Sequence, residues 1–225
     1  MAKYRYNPEK LRKERERATV IISILQREYP EARCSLNFAN PLELLIATIL
    51  SAQCTDEIVN RVTEQLFKKY PTVDAFAEAE LSVLEADIRS TGFYRNKAKN
   101  IKGCCQSLVA QHGGQVPNSL QALVALEGVG RKTANVVLGN VFGIPGMVVD
   151  THVARISQRL ELTEETDPVK IEFALMEILP QEYWVQFSHQ LIYHGRKVCK
   201  ARGPRHQICP LLHLCPSGKT AMASG

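Results

Sequence analysis

Leu126-Glu127-Gly128-Val129-Gly130-Arg131-Lys132-Thr133-Ala134 is the stretch on which the reading of the fold turns. Apolar residues at helical spacing run up to Leu126 and resume at Ala134, so two helices meet across a short turn of two glycines flanking a valine. Gly128 and Gly130 permit positive φ and close backbone approach, which leaves the amides of the turn free to point at a phosphate. The second helix adds its positive N-terminus. Val129 is expected to tuck under the turn as an apolar plug. Such a helix–hairpin–helix holds a nucleic-acid backbone without reading its bases.

Outward from the hairpin the pattern stays helical. Asn40-Pro41 reads as an N-cap and first-turn proline opening an apolar helix through Leu50. Thr55-Asp56 opens another, with Ile58, Val59, Val62, Leu66 and Phe67 at helical spacing, ended by Pro71. Further helices are expected over 95–112, 119–126, 131–142, 151–160, 168–179 and 184–194, separated by turns of Gly, Pro, Asn and Asp. No alternating stretch is long enough to build a sheet, so the fold class is all-α. The small, polar tail from Ser217 to Gly225 is expected to fray.

Composition fits a globular chain of 225 residues with net charge +5. The basic residues cluster. Met1–Arg17 holds Lys3, Arg5, Lys10, Arg12, Lys13, Arg15 and Arg17 against three acids, and Arg196–Arg205 holds five cations and no acid. Patches of that kind suit a polyanion, although a solvated helix face explains the first run equally well. No apolar stretch approaches a bilayer span and no signal peptide opens the chain, so a cytoplasmic, nucleoid-associated location without membrane contact is expected. The seven cysteines are then free thiols or ligands rather than a disulfide framework. Cys34, Cys54, Cys104 and Cys105 read as small core residues, whereas Cys199, Cys209 and Cys215 crowd one basic loop.

Lys132 falls in the first turn of the hairpin's second helix, a poor place for a purely structural cation. Met147-Val148-Val149-Asp150-Thr151-His152 sets Asp150 eighteen residues further on, ahead of another helix, where it suits an N-cap. Leu-x-Gly-Val-Gly-Arg-Lys-Thr-Ala followed at this spacing by Val-Val-Asp-Thr-His resembles the endonuclease III family of helix–hairpin–helix DNA glycosylases. Ser51-Ala52-Gln53-Cys54-Thr55-Asp56 is similar to that family's Ser-Ala-Gln-x-Thr-Asp signature, and Thr91-Gly92-Phe93-Tyr94 with Lys97-Ala98 to its second DNA-facing turn.

The resemblance implies a bifunctional glycosylase and abasic-site lyase acting on oxidised pyrimidines in duplex DNA. Lys132 would be the nucleophile and Asp150 the activating carboxylate. Gln53 would fill the space a flipped base leaves, Phe93 would wedge near the opposite strand, and Gly128, Val129 and Gly130 would hold the backbone. It also implies a monomer with the DNA cleft between two helical domains. One is a six-helix domain at 34–144 containing the hairpin (about 119–142); the other is a cluster domain of 1–33 plus 145–225. An adenine- or mismatch-specific relative and a non-catalytic DNA-binding relative stay open as alternatives. Lys132 together with Asp150 favours the lyase.

The family's cluster loop has four cysteines separated by six, two and five residues, holding a [4Fe–4S] cluster. Cys199, His206, Cys209 and Cys215 keep these separations with histidine in the second place. Imidazole does ligate iron in some clusters, and the same donor set would suit zinc or an incomplete cluster. Lys200, Arg202 and Arg205 would then form a phosphate-binding finger. Glu127 stands where the family commonly has proline, and is expected to sit close to a phosphate.

Overall fold

A computed structural model describes residues 7–223. Among them are twelve α-helices and no strand, and no helix is long and apolar enough to cross a membrane. The all-α expectation holds. Lys3 and Arg5 of the basic N-terminal run lie outside the described residues. The chain divides into two compact units, Cys34–Ile144 and Met1–Arg33 with Pro145–Gly225. Helix α1 (Pro8–Glu28) belongs to the second.

The unit Cys34–Ile144 contains α2 (Pro41–Leu50), α3 (Asp56–Lys69), α4 (Val73–Glu78), α5 (Leu81–Asp87), α6 (Tyr94–His112), α7 (Leu120–Val124) and α8 (Arg131–Val141). That is seven helices where six were expected. Helices α4 and α5 span six and seven residues, too short to show two turns of periodicity. Helix α2 is its centre: every residue from Leu44 to Leu50 is buried, and α3, α6 and α8 pack around it. Asn40 caps α2 by accepting the Glu43 N–H at 3.0 Å, while the Glu43 carboxylate accepts the Ala39 N–H at 2.6 Å. Cys104 and Cys105 are fully buried in α6, and burial pushes the Cys104 thiol up to about 12. Burial raises both thiols and makes them poor nucleophiles, as befits small core residues.

In the other unit α1 packs against α10 (Pro168–Ile178) and α11 (Trp184–Lys197), while α9 (Thr151–Arg159) packs on α11. Ile21, Leu25, Leu175, Phe187 and Leu191 form the buried centre. Part of the N-terminal basic run serves this fold. Arg15 donates to the Glu177 carbonyl at 3.0 Å, and Arg17 donates to the carbonyls of Leu160 at 2.7 Å and Glu161 at 2.9 Å. Lys13–Glu9 and Arg12–Glu16 are exposed i,i+4 pairs, which contribute a few tenths of a kcal/mol (about 0.3–0.5 each). The tail expected to fray is instead helix α12 (Pro216–Ala223) as far as it is described. Gly218 anchors it, buried where a Cβ would press on Leu212 Cδ1 at 2.9 Å.

Candidate functional site

The hairpin joins α7 to α8. Gly128 has φ +73°, and a Cβ there would stand 2.6 Å from Asn100 Cβ on α6, so both conformation and space require glycine. Val129 is 5% exposed, the plug beneath the turn. Gly130 departs from expectation. Its φ is −85°, an extended N-cap that any residue adopts, and nothing lies within 4 Å of the position a Cβ would take. What glycine provides there is an uncovered backbone. No side chain caps α8, so its first amides and its dipole remain available to an anion. The Glu127 carboxylate is turned toward α6 at Gly103, in the space a Cβ would fill.

Lys132 is the second residue of α8. Its side chain is exposed, and among the described residues it makes no hydrogen bond or ion pair. Asp150 caps α9 with one oxygen. Oδ1 accepts the N–H groups of His152 and Val153, both at 2.8 Å, while Oδ2 has no hydrogen-bond partner among the described residues. A carboxylate held in this way is rigid yet keeps one lone-pair face for another charge.

Gln53 and Phe93 share an unusual backbone. Their φ angles are 53° and 49°, left-handed values that strain non-glycine residues. Phe93 is 65% exposed at the start of α6, an aromatic outside the core. Gln53 is exposed in the turn after α2. Between these segments lies Lys97, which the sequence reading placed in a DNA-facing turn. It is instead 4% exposed, its Nζ donating to the carbonyls of Leu50 and Thr91, each at 2.8 Å.

Cys199, His206, Cys209 and Cys215 line one cavity of about 220 Å³ in the unit built on α9, α11 and α12. Among the described residues no three His, Cys, Asp or Glu side chains converge closely enough to hold a single metal ion. A tetrahedral zinc would need donors only ~3.8 Å apart, from Zn–S bonds of ~2.3 Å. All four donors line the same cavity, and three thiols with one imidazole are a donor set that an iron–sulfur cluster accepts. His206 Nδ1 stands 3.3 Å from the Gly218 carbonyl, which can only accept, so the ring hydrogen sits on Nδ1 and Nε2 is left to ligate. The Gly218 N–H donates to Cys215 Sγ at 3.3 Å, and Arg159 Nη1 donates to Cys199 Sγ at 3.2 Å. Burial pushes the thiols of Cys209 and Cys215 up, a tendency that ligation to iron would reverse. The Arg205 N–H donates to the Val198 carbonyl at 3.0 Å and pins the base of the loop, on which Lys200, Arg202 and Arg205 are all exposed.

Residues 46–181 match the HhH-GPD superfamily of base excision DNA repair proteins. The chain belongs to this family. It is 53% identical over 213 residues to an endonuclease III from Synechocystis sp., covering 94% of this chain and 97% of that protein. In structure it is similar to endonuclease III in a non-covalent complex with DNA, with TM-score 0.89 and 46% identity over 93% of this chain and 98% of that one. It is equally similar to endonuclease III in a trapped covalent intermediate with DNA, with TM-score 0.89 and 46% identity over 92% and 98%. The resemblance drawn from the hairpin is borne out over nearly the whole chain.

For a member of this family, the sequence reading missed the groups that surround the cysteine loop. His194 is buried in α11, its Nδ1 2.9 Å from Tyr29 Oη and its Nε2 3.7 Å from Cys209 Sγ. Burial drives His194 down to about 4 and Tyr29 up to about 12. Tyr29 therefore keeps its proton and donates to Nδ1, leaving the Nε2–H to face the sulfur. Arg155, on α9, donates to the Cys199 carbonyl at 2.9 Å. The available signal was a histidine five residues before the first cysteine on one helix, yet a lone histidine in a basic stretch reads as surface.

Proposed function

We infer that this protein is a bifunctional DNA glycosylase and abasic-site lyase of base excision repair, with oxidised pyrimidines in duplex DNA as its substrates. Family membership supports the activity, and the observation that carries the mechanism is the exposed, unpartnered amine of Lys132 in the first turn of the hairpin's second helix. The uncharged amine attacks C1′ of the extrahelical nucleotide, and the base leaves with the electrons of the glycosidic bond. Asp150 stabilises the positive charge that develops on the sugar. The attacking nitrogen then loses its proton and the C1′–O4′ bond opens, O4′ taking up a proton, which leaves an imine at C1′. The imine acidifies the C2′ proton, whose loss expels the 3′ phosphate and cuts the strand.

Gln53 and Phe93 enter the stack when the base is extruded, one in the vacated space and one as a wedge toward the opposite strand. The hairpin and the exposed Lys200, Arg202 and Arg205 hold phosphates. Cys199, His206, Cys209 and Cys215 hold a [4Fe–4S] cluster that shapes this basic loop and takes no part in the excision. An adenine-specific reading is less favoured, because such relatives generally lack a hairpin lysine. The test is a panel of duplexes carrying thymine glycol, adenine opposite oxidised guanine, or no lesion. The proposal expects excision and 3′ nicking of the thymine-glycol strand alone. Turnover of the adenine duplex, or binding without cleavage of any strand, would overturn it.

A further inference from the structure

Two of the three non-glycine residues with positive φ among those described are Gln53 and Phe93. Each such backbone costs about 1–3 kcal/mol and persists only where its surroundings enforce it. Both are exposed, so their own side chains do not supply the enforcement.

Lys97 does. Its ammonium bonds the carbonyl of Leu50, the last residue of α2 and three positions before Gln53. It also bonds the carbonyl of Thr91, two positions before Phe93. At Leu50 it meets the negative end of the α2 dipole, where a cation is favoured. Among the described residues it forms no ion pair, and burial lowers its pKa. A buried ammonium without a carboxylate is an expensive way to fill a core, and an apolar residue of similar length would fold at lower cost. What the ammonium does, and an apolar side chain would not, is tie two backbone segments together across forty-seven residues of sequence at one end and six at the other. Those segments are the ones that end in Gln53 and Phe93.

We propose that Lys97 is a positioning residue that fixes the spacing of Gln53 and Phe93, so that the two enter the duplex as one rigid pair when the base is extruded. The proposal rests on the reading of Gln53 and Phe93 as intercalating residues. Preorganisation of this kind acts on the extrusion step and leaves the phosphate grip of the hairpin alone.

A cycle of variants of the full chain tests it, with 2-aminopurine fluorescence beside a thymine glycol reporting extrusion and kcat/KM reporting excision. Lys97→Met is expected to lower both at least tenfold, with binding to undamaged duplex changed less than twofold. In a background carrying Gln53→Ala and Phe93→Ala, the same change is expected to cost less than twofold, because the residues it positions are gone. An equal loss in both backgrounds, or extrusion unchanged by Lys97→Met, overturns the proposal. Normal extrusion by the Gln53→Ala, Phe93→Ala protein would instead remove the intercalation reading on which it rests. Should Lys97→Met not fold, Lys97→Gln keeps a donor for one carbonyl and enters the same cycle, with the same two outcomes deciding.

Discussion

In the proposed mechanism Asp150 carries two duties on two atoms. Oδ1 holds the first amides of α9, and the proposal assigns Oδ2 to the charge that develops on the sugar. The duties separate by substitution. Asparagine caps a helix about as well as aspartate, so Asp150→Asn should unfold at the wild-type denaturant concentration, whereas Asp150→Ala should lose about 1 kcal/mol. Both should slow single-turnover excision by ~10²–10³-fold, because both remove the charge. An Asn variant with full activity would reduce Asp150 to a cap. Among single residues, this cap was legible because an acid before an apolar-periodic segment has a standard meaning. Lys97 was not, since it sits in Tyr94-Arg95-Asn96-Lys97-Ala98-Lys99, which looks like a solvated face. Its burial follows from phase. Lys97, Ile101, Cys104, Cys105 and Leu108 share the inward side of α6, and a cation on that side is plausible only once the carbonyls of Leu50 and Thr91 are in place.

At the scale of elements, the hairpin's two glycines look equivalent in the sequence and are not. Gly128→Ala meets both a left-handed backbone and Asn100, and should cost ~1–3 kcal/mol of stability in denaturant titration. Gly130→Ala has an ordinary backbone and open space, so stability should change by less than ~1 kcal/mol. Its methyl group would cover the backbone offered to a phosphate, and binding to undamaged duplex should weaken roughly tenfold, about the loss of one hydrogen bond to a charged group. Unchanged binding by a folded Gly130→Ala protein would show that the phosphate does not approach there. Long helices such as α2, α3 and α6 were readable from caps and periodicity. Helices α4 and α5 lack the length for a periodic signal, and α12 packs on α9 and on the turn at Leu212–Leu214, with the Gly218 N–H donating to Cys215 Sγ, contacts that no local pattern displays.

For the whole molecule, two buried histidines tie stability to pH. Burial lowers His189 below its ordinary value of 6.5 and His194 to about 4. As pH falls through 6.5 the unfolded chain takes up protons that the folded chain refuses. Stability is therefore complete above pH 6.5 and declines as the pH drops from 6.5 toward 4. The denaturant midpoint at pH 5 should lie below that at pH 7.5, and His189→Gln should flatten part of the decline. A midpoint independent of pH would mean that the rings are not buried neutral. The proposed mechanism rests on one amine, and sodium borohydride reduction during turnover of an abasic duplex, followed by mass mapping of the adduct, tests it directly. Wild-type protein should be trapped on DNA through Lys132, and Lys132→Gln should bind the same duplex without forming an adduct or cutting the strand. Active wild-type protein that gives no adduct, or an adduct at a different lysine, would contradict the account.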